Sequence, residues 1–290
     1  MTAPNAAPIP APKLMGILNV NADSFSDPGQ RRSSAEEVAR GVALRDAGAQ
    51  FVDVGAESAS PATPVIDAGA EIDALLPVLD GLHRQGVRTS VDTYKPQVAA
   101  AAIAAGTAVI NDYSGLVHPE LAGLCADGGV DLVLTHNPPG VKAKVLDPAA
   151  YAEVADDVTR WFADRLKVLE AAGLPAERVI LDPGIDLAKT PSQSIELLRG
   201  LDRVAWLGRP LLLAISRKDF LGALSPARPR ERDAGTLAAL GHLIGLPRTI
   251  ARVHDVRAAR QYLDVAVALA DTRPVDPELA LPSELRRQVA

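Results

Sequence analysis

The sequence predicts a single (β/α)8 TIM barrel, and three observations carry the prediction. Short, β-leaning apolar runs recur eight times along the chain. Stretches of helical periodicity separate them, which implies one parallel sheet covered by helices. No domain-sized linker interrupts the alternation, and 290 residues hold the roughly 250 that such a barrel needs. A doubly wound open sheet is the other architecture with this texture.

Each element can be justified in turn. Residues 1–13, MTAPNAAPIPAPK, are rich in Ala and Pro and read as a disordered arm. The first strand is LMGILNV at 14–20. SSAEEVARGVALRDAGA at 33–49 has a Ser-rich start, early acids and a closing Gly, the marks of a helix. QFVDVGA, VRTSVD, TAVIND, DLVLTH, RVILDPG, PLLLAIS and TIARVH supply the remaining strands. Further helical stretches lie at 65–84, 95–105, 148–172 and 255–270. The barrel is expected to occupy 14–270, with 271–290 as a peripheral tail that has room for one short helix.

Composition narrows the function. Hydrophobic residues make up 48% and charged residues 23%, as in ordinary soluble enzymes. A net charge of −6 argues against a nucleic-acid or membrane-surface protein. No apolar run is long enough to span a bilayer. The opening lacks the charged and apolar regions of a signal peptide. The single cysteine, Cys125, lies in an apolar helix-like stretch and fits core packing in a reducing cytoplasm. Glycine-rich phosphate fingerprints, a P-loop, zinc-spaced His or Cys pairs and a nucleophile elbow are all absent.

The informative pattern is what closes each strand. Asn19, Asp53, Asp92, Asn111 with Asp112, His136 and Asp182 end the first six, in that order. Ser216, Arg217 and Lys218 follow the seventh, and Arg252 and His254 end the eighth. In a (β/α)8 barrel these positions converge on the C-terminal face, where active sites lie. Singly, an Asp or Asn there often only caps the next helix. His136 reads as structural, and Asp255 and Arg257 as helix-terminal or surface groups. Jointly, acids and amides gather on one half and cations on the other. The acids could read a heterocycle with several N–H donors. Lys218, Arg252 and His254 could hold an anion, with magnesium bound through Asn19 and water.

Seven ordered motifs strengthen this picture: MGILNVNADSFSDPG, DVGAESASPAT, SVDTYKP, VINDYSG, ILDPGIDLAKT, AISRKDFLG and RVHDV. They resemble those of the dihydropteroate synthases over about residues 14 to 270. That family condenses 6-hydroxymethyl-7,8-dihydropterin diphosphate with 4-aminobenzoate, releasing diphosphate. The resemblance implies that Asp92, Asn111, Asp182 and Lys218 bind the pterin, with Asp53 beneath the ring edge. It implies that Asn19, Arg252 and His254 hold the diphosphate, with Mg2+ on Asn19, and that Ser216 and Pro61 lie by the aminobenzoate. Asp92, Lys218 and Asn19 are then the catalytic candidates. The first loop, 19–29, would close over the diphosphate. A cytoplasmic homodimer formed through the last helices, with small-molecule substrates only, is also implied.

The departures from the family pattern cluster on the second-substrate side. Asn21 and Ala22 replace Thr-Pro in the first loop. Ala59, Ser60 and Pro61 replace Thr-Arg-Pro in the second. Asp186, Leu187 and Ala188 replace Gly-Phe-Gly after the sixth strand. Arg31 and Arg32 are candidates to replace the lost arginine. Weakened sulfonamide binding is one expectation, and a pterin-binding paralogue with another amine acceptor, or without synthase turnover, is the alternative reading.

Overall fold

The computed structural model describes residues 7–20, 32–282 and 285. Eight strands pair in sequence order, all parallel: β1 (Lys13–Asn19), β2 (Phe51–Gly55), β3 (Thr89–Asp92), β4 (Val109–Asp112), β5 (Asp131–Thr135), β6 (Val179–Asp182), β7 (Leu211–Leu213) and β8 (Thr249–Val253). β8 returns to β1, with Met15 opposite Arg252, and closes the barrel. The expected (β/α)8 TIM barrel is therefore the observed fold, and every strand lies within or next to its predicted run.

Outside the sheet lie α1 (Ser34–Asp46), α2 (Ala68–Arg84), α3 (Pro96–Ala104), α4 (Glu120–Gly128), α5 (Val154–Ala171), α6 (Pro191–Arg199), α7 (Leu201–Ala205), α8 (Asp219–Leu224), α9 (Asp233–Gly241) and α10 (Val256–Ala270). Local chemistry sets their ends. Ser33 caps α1 in a reciprocal box with Glu36, and Thr190 does the same for α6 with Gln193. Asp255 caps α10 by accepting from Ala258 N, which is the helix-terminal role its sequence suggests. The stretch expected to be helical from 148 begins its helix only at Val154. Asp157 turns its carboxylate onto the Ala152 and Glu153 amides, and Asp147 accepts from Ala149 N, so the preceding residues form turns.

Two apolar layers hold the barrel. Met15, Phe51, Val109, Val133, Ile180, Leu212 and Ile250 fill its interior. A larger cluster, including Leu14, Leu18, Val54, Leu79, Ile110, Leu134, Phe162 and Cys125, packs sheet against helices. Burial pushes the Cys125 thiol up to about 12, the behaviour of an inert core cysteine. The end of the 1–13 arm is docked rather than loose: Gly245 N donates to the Pro10 carbonyl and Pro12 is buried.

Candidate active site

The site grows from the barrel interior by the two-residue period of a strand. Two residues beyond Phe51, Val109, Ile180 and Ile250 of the interior layer come Asp53, Asn111, Asp182 and Arg252. The sequence therefore needs apolar residues at the first of these positions to fill the barrel, and can place polar ones at the next because the mouth lies there. Asp92, at the end of β3, pairs in register with Asn111.

Arg252 Nε donates to Asp53 Oδ2 at 2.6 Å and its Nη2 to Asp92 Oδ2 at 2.8 Å, while Asn111 Nδ2 donates to Asp53 Oδ2 at 3.0 Å. This corrects the expected division of charge. Arg252 stands among the carboxylates, because a guanidinium can reach across the mouth to two buried acids that would otherwise repel each other. Burial opposes the charge on Arg252, yet Asp53 and Asp92 hold its pKa well above the usual value. Burial also pushes Asp92 up to about 7, helped by Asp53, Glu71 and Asp112 and opposed by Arg252. Asp182 is raised by burial too, and accepts from Gly184 N at 2.8 Å. Asp112 serves a different end: its two oxygens accept from Ser114 N and Leu116 N, which folds its own loop.

Lys218 follows β7; burial lowers its pKa against the electrostatic pull of Asp186 and Asp182. His254 Nδ1 lies 2.9 Å from Ser216 Oγ. Burial, with Arg217 and Arg252 nearby, lowers His254 to about 4. Near neutral pH it is an uncharged hydrogen-bonding ring, not the cation the sequence suggests. Asn19 is exposed at the end of β1. The segment after it, with Asn21, Ala22, Asp23, Phe25, Asp27 and Arg31, lies outside the described residues. Arg32 lies 3.7 Å from Glu37, in the first turn of α1.

The sequence missed Lys189, and with it the support for the β6 loop. Lys189 is buried, and its Nζ lies 2.9 Å from His136 Nδ1 and donates to the Leu187 and Gly184 carbonyls. Burial lowers its pKa to about 7, and burial beside Lys189 lowers that of His136. His136 packs among Tyr151, Trp161 and Phe162, so its structural reading fits. Gly184 is obligatory: a Cβ there would sit 2.2 Å from the His136 carbonyl oxygen. Asp186 and Ala188 keep left-handed backbones, φ 60° and 49°, at the two positions where the family pattern has glycine. Asp186 is held there by its own carboxylate, which accepts from Ser194 Oγ and from the Asp219 and Phe220 amides.

Beside Lys218 opens a cavity of about 190 Å³. The β2–α2 loop contributes Ala59 and Pro61, the β5–α5 loop Ala143 and Lys144, the β6 loop Asp186 and Leu187, and the β7 loop Arg217, Lys218 and Asp219. Pro61 and Lys218 thus line one cavity. Ser216 is not among the lining residues, because its hydroxyl faces His254.

A strand-end cluster of acids, amide and arginine beside a cation-lined cavity defines a (β/α)8 enzyme site suited to a donor-rich ring and an anionic group. Comparison with known proteins narrows the class: the family model described as pterin binding enzyme matches residues 15–254, and the chain belongs to that family. Dihydropteroate synthase of Streptococcus pyogenes serotype M6 is 36% identical over 256 residues, 87% of this chain and 93% of that protein. The structure of Xanthomonas albilineans dihydropteroate synthase with 4-aminobenzoic acid superposes with a TM-score of 0.80 at 36% identity, covering 91% of this chain and 94% of that one. The same enzyme in complex with 7,8-dihydropteroate gives 0.78 at 35% identity, covering 91% and 95%.

Proposed function

We propose that this chain is a transferase that condenses 6-hydroxymethyl-7,8-dihydropterin diphosphate with 4-aminobenzoate, giving 7,8-dihydropteroate and diphosphate. The observation that carries this reading is one juxtaposition. Lys218 belongs at once to the acid-lined barrel mouth, where it lies within electrostatic reach of Asp182, and to the wall of the cavity that Pro61 lines.

Asp92 and Asp182 accept from the ring N–H groups and Asn111 adds a neutral hydrogen bond, while Asp53 fixes Arg252 and Asn111 from below. Charge-assisted acceptors of this kind select an aminopterin over a ring without donors. As the bond from the exocyclic carbon to the diphosphate oxygen breaks, positive charge spreads into the ring and the nearby carboxylates stabilise it. The arylamine nitrogen then bonds to that carbon and loses a proton to solvent, so positioning matters more than a general base. The neutral His254 would meet the departing diphosphate, with Arg252 contributing only through the nitrogen that its bonds to Asp53 and Asp92 leave over.

Mg2+ fits as a substrate-borne ion. Asn19 offers one exposed amide oxygen, and among the described residues no group of three or more His, Cys, Asp or Glu could hold a metal. Diphosphate oxygens and water would complete the shell, a common arrangement for this ion. Bound there, Mg2+ would neutralise charge on the leaving group. Exposed Val265 and Leu269 on α10 support a homodimer through the last helices, and the lone buried thiol of Cys125 supports a cytoplasmic location. Among the described residues no helix is long and apolar enough to cross a membrane.

The test is turnover by purified protein with dihydropterin diphosphate, Mg2+ and 4-aminobenzoate, following both products. Stoichiometric diphosphate and dihydropteroate, lost in Lys218→Ala, support the reading. Pterin binding without dihydropteroate overturns it and favours another acceptor.

A further inference from the structure

We propose that residues 141–145, between β5 and α5, form a brace that shapes the acceptor cavity, with Lys142 and Lys144 as its positioning residues. The inference rests on the acceptor reading of that cavity. Lys142 Nζ donates to the carbonyls of Ser58, Thr63 and Pro64 at 2.9, 2.9 and 3.0 Å and to Thr63 Oγ1 at 3.1 Å, with Glu57 Oε1 at 3.5 Å. An ammonium has only three hydrogens to share, so this oxygen shell saturates it. The Lys142 side chain is only 11% exposed, unlike an ordinary surface lysine. Its backbone is left-handed, φ 53°, a conformation that a lysine adopts only when its surroundings enforce it.

The oxygens Lys142 gathers belong to the loop that presents Ala59 and Pro61 to the cavity. The two ends of that loop are fixed separately, since Lys95 Nζ binds Glu57, Glu71 and the Ile66 carbonyl, each at 2.6 Å. Between those ends, residues 58–64 otherwise hold themselves by local turns among Ser58, Ser60 and Thr63. Lys142 ties this middle to the β5–α5 loop.

Two residues on, Lys144 reaches the opposite wall. Its Nζ lies 3.0 Å from Asp219 Oδ2, and Asp219 Oδ1 is held in turn by Arg232 at 3.0 Å. Asp219 directly follows Lys218, and Ala143, between the two lysines, lines the cavity. The brace therefore sets the distance from Pro61 to Lys218. A half-exposed pair such as Lys144–Asp219 is weak alone, so Lys142 dominates.

The experiment compares wild type, Lys142→Met and Lys144→Met by steady-state kinetics in both substrates and by hydrogen exchange at residues 58–66. Lys142→Met is expected to raise KM for 4-aminobenzoate about tenfold and to speed that exchange, with KM for dihydropterin diphosphate changed less than about twofold. Lys144→Met should raise the acceptor KM about threefold. Lys142→Arg, which keeps the charge, should recover part of the loss. Equal rises in both KM values, an unchanged acceptor KM, or unchanged exchange in Lys142→Met would overturn the brace. Absence of dihydropteroate from wild type overturns the acceptor reading instead, and exchange at 58–66 then decides the brace alone.

Discussion

Asp53, Asp92, Asn111, Asp182 and Arg252 sit on strands, whereas Pro61, Lys144, Leu187 and Lys218 sit on loops. The first group is fixed by barrel register, and charge-assisted hydrogen bonds link four of its five members: Arg252 to Asp53 and Asp92, Asn111 to Asp53. The second group is positioned by tethers between loops, from Lys142, Lys189 and Asp186. The departures at 59–60 and 186–188 fall on the loop-borne side. A residue on a barrel strand cannot move without disturbing the layer below it. A loop can change its chemistry so long as its backbone path is kept, and Asp186 and Ala188 keep the path.

The comparison can be broken most severely at its centre. Arg252→Met should abolish turnover and destabilise the fold by about 3–5 kcal/mol, because it strands the fully buried Asp53 without its cation. Chemical denaturation together with the product assay checks both, and a fold near wild-type stability would contradict this account of the cluster.

A second effect belongs to the loop side and depends on pH. The folded pKa of Lys189, about 7, lies below the ordinary lysine value. Between those values the unfolded chain binds more protons, so stability should rise with pH above about 7 and be lost as pH falls through it. Lys189→Met should flatten that rise in a plot of melting temperature against pH. An unchanged slope would assign the effect elsewhere.

Smaller effects sharpen the distinction between chemistry and path. Ala188→Gly should stabilise by about 1 kcal/mol, because it relieves a left-handed alanine, with turnover unchanged. Destabilisation would show that the β6 loop follows another path. Ser60→Arg should raise kcat/KM for dihydropterin diphosphate by up to about tenfold if the missing guanidinium is what limits the loop side. No change would mean that Arg252 and Lys218 already suffice.

Much of this was legible in the sequence, for a physical reason. Strand identity follows from local apolar runs, and the polar residue after each run reaches the mouth whatever the helices do. Arg252 shows where that legibility stops. Its identity at a strand end could be read, but its reach to Asp53, 199 positions away, depends on barrel closure. Lys189, just before the Thr190-Pro191 helix start, looks like a solvated helix-terminal charge until burial is seen. Lys142 is an ordinary loop lysine until its left-handed backbone brings it over the second loop. Asp186 reads as the loss of a glycine, although its carboxylate restores the loop by bonding Ser194 and α8.

The most direct test of the strand-built half is binding of 6-hydroxymethyl-7,8-dihydropterin, free of the diphosphate and its own titration, to wild type and Asp92→Asn between pH 5 and 9. Asp92 must be ionised to accept from the ring, and its pKa is about 7 before the ligand arrives. Wild-type affinity should therefore climb by up to about tenfold per pH unit below 7 and level off above it, while Asp92→Asn binds weakly and without that slope. A flat wild-type profile, or an Asn variant that binds as tightly, would contradict the assignment of the strand-end acids as the pterin reader.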